Sequence, residues 1–238
     1  MGPLIEATGL CKHFGGIVAV QDLNFAVRPG ELVGLIGPNG SGKTTTINML
    51  TGHLKPSSGH VHVRGAPADG LPPSRLATMK VGRTFQITQL FSRMTVLENM
   101  LVPGLARPHS TRAEATRQAR GHLEFLGLAK LETLQAKHLS GGQQKLLELG
   151  RALMLDPDIL FLDEPFAGVN PFLRDEIILL IQKLHAEGRT FVIVDHDIEA
   201  IQRLVQRLVV MALGKKIADG GVDEVRENQE VLRAYAGV

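Results

Sequence analysis

Leu32-Val33-Gly34-Leu35-Ile36, running directly into Gly37-Pro38-Asn39-Gly40-Ser41-Gly42-Lys43-Thr44, is the stretch on which the fold turns. The first five residues form an apolar run of strand length. The next eight fit the phosphate-loop pattern G-x-x-x-x-G-K-[ST]. Glycines let successive backbone N–H groups turn toward phosphate oxygens, and a following helix presents its positive end to the same anion. Lys43 is placed to reach the β- and γ-phosphates, and the Thr44 hydroxyl to ligate Mg²⁺. A helix is expected from Gly42, stopping near Gly52.

Outward from this loop, the pattern alternates between strands and helices. Upstream, Leu23, Phe25 and Val27 alternate with Asn24 and Ala26, the period of a half-buried strand, and Arg28-Pro29-Gly30 reads as a turn. Downstream, Val61 and Val63 alternate with His60 and His62; no carboxylate or thiol cluster accompanies these histidines, so they read as a solvated strand face rather than metal ligands. Thr111 and Glu114 have capping-box spacing, followed by a stripe of Ala115, Ala119, His122, Leu123 and Leu126. Gly141 to Leu155 reads as another helix, closed by Asp156-Pro157. Ile159 to Leu162 and Thr190 to Val194 are continuous apolar runs, as in strands covered on both faces. Between them Asn170-Pro171 caps a helix carrying Ile177, Leu180, Ile181 and Leu184. Ile198, Ile201 and Val205 mark one more helix. The expectation is an α/β core over 1–86 and 158–238, interrupted by a helical insertion over 87–157, all in one domain.

Composition narrows the class. The 238-residue chain carries a formal charge of only +2, which gives no case for nucleic acid, and the stretch Arg107 to Arg120 reads as a solvated helix face. The single cysteine, Cys11, forms no internal disulfide, fits a reducing compartment and reads as a small buried hydrophobe. The longest uninterrupted apolar run is Leu208 to Leu213, far short of the ~20 residues of a membrane span. The opening Met1-Gly2-Pro3-Leu4-Ile5-Glu6 lacks the features of an export signal. Any membrane role is therefore expected to come through partners.

Two further motifs carry chemistry. Ile159-Leu160-Phe161-Leu162-Asp163-Glu164 delivers two carboxylates at the carboxyl end of a strand, where α/β folds bind ligands. Asp163 is placed to support Mg²⁺, and Glu164 to polarise an attacking water. Leu139-Ser140-Gly141-Gly142-Gln143 sets a hydroxyl and two bare glycines before a helix, a second anion site. An ordinary N-capping serine would explain the helix start but not the two glycines.

That pentapeptide resembles the signature of the ABC ATPase family, and the resemblance extends over essentially the entire chain. It implies a phosphate-loop ATPase core with an antiparallel β subdomain and an inserted α-helical subdomain. It also implies ATP and Mg²⁺ as ligands, with Gly37 through Gly42, Lys43, Thr44 and Thr45 around the phosphates and Phe14 stacking on adenine. Read alone, Phe14 would be a core residue. Gln86, in Gly82-Arg83-Thr84-Phe85-Gln86, matches a glutamine that contacts Mg²⁺ or water, and His196 a histidine that contacts the γ-phosphate. With Glu164 these are the implied catalytic groups; Thr44, Gln86 and Asp163 are the implied metal ligands. Ser140, Gly141, Gly142 and Gln143 would cap ATP bound to a facing subunit, in a head-to-tail dimer of this chain with itself or a paralogue. Asn170 departs from the family's more usual Asp, which puts cross-dimer communication there in question.

Phe14-Gly15-Gly16-Ile17-Val18-Ala19-Val20, Gly82-Arg83-Thr84-Phe85-Gln86, Leu90-Phe91 with Met94-Thr95-Val96-Leu97-Glu98-Asn99, Asn170 and Arg233-Ala234-Tyr235-Ala236-Gly237 are similar to the branched-chain amino-acid importer ATPases, and of their two paralogues to the one with Arg-Thr-Phe-Gln. That resemblance implies permease subunits and, indirectly, a periplasmic solute-binding protein, with this chain on the cytoplasmic face of the membrane. Importers of urea or small amides and the lipopolysaccharide-export ATPase are similar alternatives; a nucleic-acid-associated ABC ATPase shares the nucleotide chemistry, but this chain has neither the tandem cassettes nor the long coiled coils usual there. Between Ile87 and Asn99, Leu90, Phe91, Met94, Val96 and Leu97 have two readings. All five fill the core of the insertion, or some line a groove for a permease helix.

Overall fold

The computed structural model describes residues 2–236; Met1 and Gly237, which figure in the motifs above, lie outside the described residues. Strands β1 (Ile5–Phe14) and β2 (Ile17–Val27) open the chain as an antiparallel pair. β3 (Leu32–Ile36), buried throughout as its composition predicts, feeds the glycine loop and helix α1 (Lys43–Leu50). β4 (Ser58–Val63) and β5 (Ala66–Pro67) return to the first pair, giving an antiparallel sheet ordered β2-β1-β4-β5. After α2 (Pro73–Thr78) comes the short β6 (Val81–Arg83), then helices α3 (Val96–Leu105), α4 (Arg112–Phe125) and α5 (Gly141–Leu153). Alternation resumes with β7 (Ile159–Asp163), α6 (Pro171–Ala186), β8 (Thr190–Val194), α7 (Ile198–Gln202) and β9 (Arg207–Ala212). β10 (Lys215–Gly221), α8 (Val222–Glu227) and α9 (Gln229–Ala236) follow.

The second sheet has the order β10-β9-β3-β8-β7-β6, parallel from β9 to β6. Strand pleating divides its side chains between two cores. Leu32, Leu160, Leu162, Phe191, Ile193 and Val210 face the helical side, with α3 to α7. Val33, Leu35, Phe161, Val192, Val194 and Met211 face the antiparallel sheet and α1. Each such side chain, removed from water, stabilises the fold by roughly 1.5–3 kcal/mol. Burial on both faces is why these strands read as unbroken apolar runs.

Several expectations need correction. Cys11 is only half-buried, and its Sγ accepts a hydrogen bond from the Asp22 N–H at 3.2 Å, so it is not a simple core hydrophobe. α7 ends before Val205, which is buried in the turn that follows. α3 went unread because Pro103 and Gly104 interrupt its pattern; its start was readable, since Thr95 and Glu98 form a reciprocal capping box. The five apolar residues around it do not act as one group. Val96 is fully buried, Leu90 and Leu97 pack partly against the core, and Phe91 and Met94 stay 44% and 40% exposed.

Candidate active site

The phosphate loop lies beyond the carboxyl end of β3, squeezed between neighbouring strands. Gly37 has φ 150° and Gly42 φ 102°. A Cβ on Gly37 would collide with the Met211 carbonyl oxygen, and one on Gly42 would sit 2.5 Å from the Ala19 carbonyl oxygen. Both positions therefore demand glycine on conformation and on space. Gly42 ends the loop as the N-cap of α1 without a side-chain cap. Lys43 Nζ donates to the Gly37 and Pro38 carbonyls at 2.7 and 3.0 Å, arching over the loop. Burial pulls its pKa down, while the Glu164 and Asp163 carboxylates act the other way. Thr44 is exposed and Thr45 half-buried on the first turn of α1. Phe14 projects from the end of β1, 48% exposed, with Lys12 Nζ 5.1 Å from its ring centre. Tyr235 on α9 reaches the same loop; partial burial pushes its phenol up to about 12, opposed by the adjacent Gly37 amide.

Three neighbouring parallel strands bring the remaining groups together. Asp163 ends β7 and is 4% exposed. Its Oδ2 accepts from Arg83 Nη2 at 2.8 Å, across from the end of β6. Arg83 also donates to Asn48 Oδ1 at 2.6 Å and Thr51 Oγ1 at 3.1 Å on and just after α1. Sequence reasoning had placed Arg83 only in a motif; nothing local foretold its pairing with a residue eighty positions away. Glu164 takes up a left-handed backbone, φ 49°, which costs on the order of 1–3 kcal/mol for a residue with a side chain. Its carboxylate accepts from Gln86 Nε2 at 3.0 Å, and His196 Nδ1 stands 3.9 Å from the same oxygen. Beside His196, the buried Asp195 accepts from the Phe166 and Asp197 amides at 2.9 and 3.0 Å, pinning the turn after β8. Sequence analysis missed that role.

The glycine-rich pentapeptide stands apart from this cluster. Ser140 caps α5, accepting from the Gln143 amide at 3.3 Å, while Gln143 Oε1 accepts from the Ser140 amide at 3.0 Å. Both polar side chains are thus engaged in a reciprocal capping box. The two glycines differ. A Cβ on Gly142 would run into the Leu173 side chain of α6, which would have to turn aside; a Cβ on Gly141 would meet nothing among the described residues. Ser140, Gly142 and Gln143 line a hollow of about 310 Å³ with Asn170 and Phe172, and no phosphate-loop residue borders it. Asn170 caps α6, its Oδ1 accepting from the Leu173 amide at 2.9 Å.

A glycine-cradled loop, a paired carboxylate strand end and a second capped glycine turn define an ATP-binding cassette. Residues 20–167 match the ABC transporter family, and the chain belongs to it. The chain is 40% identical, over 99% of its own length and 98% of the relative's, to the high-affinity branched-chain amino acid transport ATP-binding protein LivG of Escherichia coli (strain K12). It is 37% identical to the probable branched-chain amino acid transport ATP-binding protein LivG of Archaeoglobus fulgidus, over 98% and 95% of the two lengths. Its fold superposes on the ADP conformation of MJ1267, an ATP-binding cassette of an ABC transporter, with a TM-score of 0.89 and 34% identity over both full chains. A dimeric post-hydrolysis state of the cassette MJ0796, bound to ADP and Pi, gives 0.83 at 28% identity, over 92% of this chain and 98% of that one. Among the described residues no helix is long and apolar enough to cross a membrane.

Proposed function

We propose that this chain is the ATP-hydrolysing subunit that powers a branched-chain amino-acid importer. It would act as one cassette domain with its helical part at 87–157. The observation that carries the catalytic reading is the meeting of Gln86, Glu164 and His196 at the ends of adjacent strands, beside the phosphate loop. Its full-length likeness to transport ATP-binding proteins of that solute class supports the solute.

Phosphoryl transfer asks mainly for positioning and charge stabilisation. The loop amides and Lys43 hold the β- and γ-phosphates, and Phe14 offers an exposed ring to the adenine. Thr44, Asp163 and Gln86 are oxygen donors, the kind Mg²⁺ takes alongside phosphate oxygens, and Asp163 keeps Oδ1 for that purpose while Arg83 engages Oδ2. The ion, when bound, neutralises phosphate charge. Glu164 accepts the proton of the attacking water, with its carboxylate aimed by Gln86; His196 contacts the γ-phosphate. The open face at Gly141 fits a signature turn that caps ATP held by a second subunit, either another copy or a paralogue. The subunit would sit on the cytoplasmic face of the membrane against permease subunits, which a periplasmic solute-binding protein supplies.

The test is leucine uptake by cells lacking the chromosomal copy of this chain. Uptake should return with the wild-type chain and stay absent with Lys43→Ala. Undiminished leucine uptake after the deletion would overturn the solute assignment.

A further inference from the structure

The left-handed backbone of Glu164 is held from both sides. Its N–H donates to the Val194 carbonyl of β8 at 2.7 Å. Its own carbonyl accepts from Lys145 Nζ at 2.8 Å. Lys145 belongs to α5, little more than one turn beyond the Ser140 cap. Its ammonium is drawn from water into a half-buried place against a cavity of about 20 Å³, shared with Thr84, Glu148 and Asp163. Burial depresses its pKa, and the carboxylates of Glu148, Asp195, Glu164 and Asp163 oppose that depression. A lysine in that position sets its charge against the backbone of one residue, and that residue is the candidate base.

We propose that Lys145 is a positioning residue: its ammonium locks the Glu164 backbone in the conformation that brings the carboxylate to Gln86 and His196. This rests on the reading of Glu164 as the base. The bond also joins the helix that opens with the signature turn directly to the base. Any contact that shifts α5 from a facing subunit therefore shifts Glu164 as well. Without the donor, the Glu164 carbonyl keeps only the longer bond from the Ala167 amide, at 3.2 Å, and the strained φ is held less firmly. The carboxylate then moves off the line of attack.

The experiment measures steady-state ATP hydrolysis, ATP affinity and thermal unfolding for Lys145→Met, Lys145→Gln and Lys145→Arg, each also combined with Glu164→Gln. Lys145→Met should lower kcat by about 10- to 100-fold, the cost of a slightly misplaced group, with KM for ATP unchanged. Lys145→Arg, which keeps a charged donor, should restore most of kcat. In the Glu164→Gln background, Lys145→Met should lower turnover no further, because the group it positions has gone. Wild-type kcat in a folded Lys145→Met, or in Lys145→Gln where the Met variant does not fold, would overturn the proposal. So would an equal fold-loss in both backgrounds, which marks a merely structural role. Wild-type turnover in Glu164→Gln alone would instead overturn the reading of the base.

Discussion

The nucleotide core and the helical insertion solve opposite problems. In the core, charged groups find their partners within the chain: Asp163 with Arg83, Lys43 with its own loop, Asp195 with two amides. Its apolar side chains are buried on both faces of the parallel sheet. The insertion and its approach leave Ile87, Phe91, Met94, Val102 and Leu105 exposed, and Gly141 faces open space. Apolar groups gathered on one part of a surface mark places where another molecule sits. The core fills its sheet interior from its own chain but leaves Ile17, Phe172 and Leu213 exposed at its surface, whereas the insertion gathers its exposed apolar groups along the approach to α3 and on α3 itself.

The hardest blow to that picture falls on the core. Glu164→Gln should slow phosphate release by roughly 10²–10⁴-fold while ATP still binds. Size-exclusion chromatography with Mg-ATP should then show two subunits held together. Near-normal phosphate release would remove Glu164 from its role.

Ser140→Arg and Lys43→Ala address the two regions separately. Lys43→Ala should weaken nucleotide binding within its own chain, and Ser140→Arg should obstruct the site of a facing one. Each homodimer lacks an intact composite site, so each should hydrolyse little. Mixed under conditions of subunit exchange, they can form a dimer with one unaltered site, and part of the activity should return. Full activity of Ser140→Arg as a monomer would show that the insertion needs no facing subunit for hydrolysis.

Arg83→Met tests the pairing of buried charge inside the core. It strands a buried carboxylate, and breaking a buried ion pair in this way costs about 3–5 kcal/mol. The thermal midpoint should fall by on the order of 10 °C, measured by calorimetry. An unchanged midpoint would mean that Asp163 has other support.

The mildest effect on the isolated subunit is expected at Phe91. The fully buried Asn99 holds the loop that carries it, bonding the Phe91 N–H and carbonyl at 2.9 and 3.0 Å, and the Arg151 guanidinium lies 5.0 Å from the ring. Phe91→Asp should leave soluble ATPase activity intact while disrupting co-purification with the membrane subunits and leucine uptake. Loss of soluble ATPase as well would return Phe91 to the core.

The sequence alone determined the features whose physics is local. The runs from Ile159 to Leu162 and from Thr190 to Val194 read as strands covered on both faces and are buried throughout, and the glycines after Ile36 announced a tightly turned backbone. Ser140, Thr111 and Asn170 declared helix starts because a side-chain oxygen three residues before an unpaired amide works over a span the eye can read. Tertiary structure decided what depends on distant partners. Nothing in the residue types around Arg83 names Asp163 as its counterion, and nothing around Lys145 points to the Glu164 carbonyl. A glutamate at positive φ is invisible to propensity, since the conformation is supported by a hydrogen bond donated to β8 and one accepted from α5. Gly141 and Gly142 look alike in the chain, but one is packed against Leu173 and the other is open, because only one of them faces α6. Close approach between elements is set where they cross, and the sequence does not record the crossing.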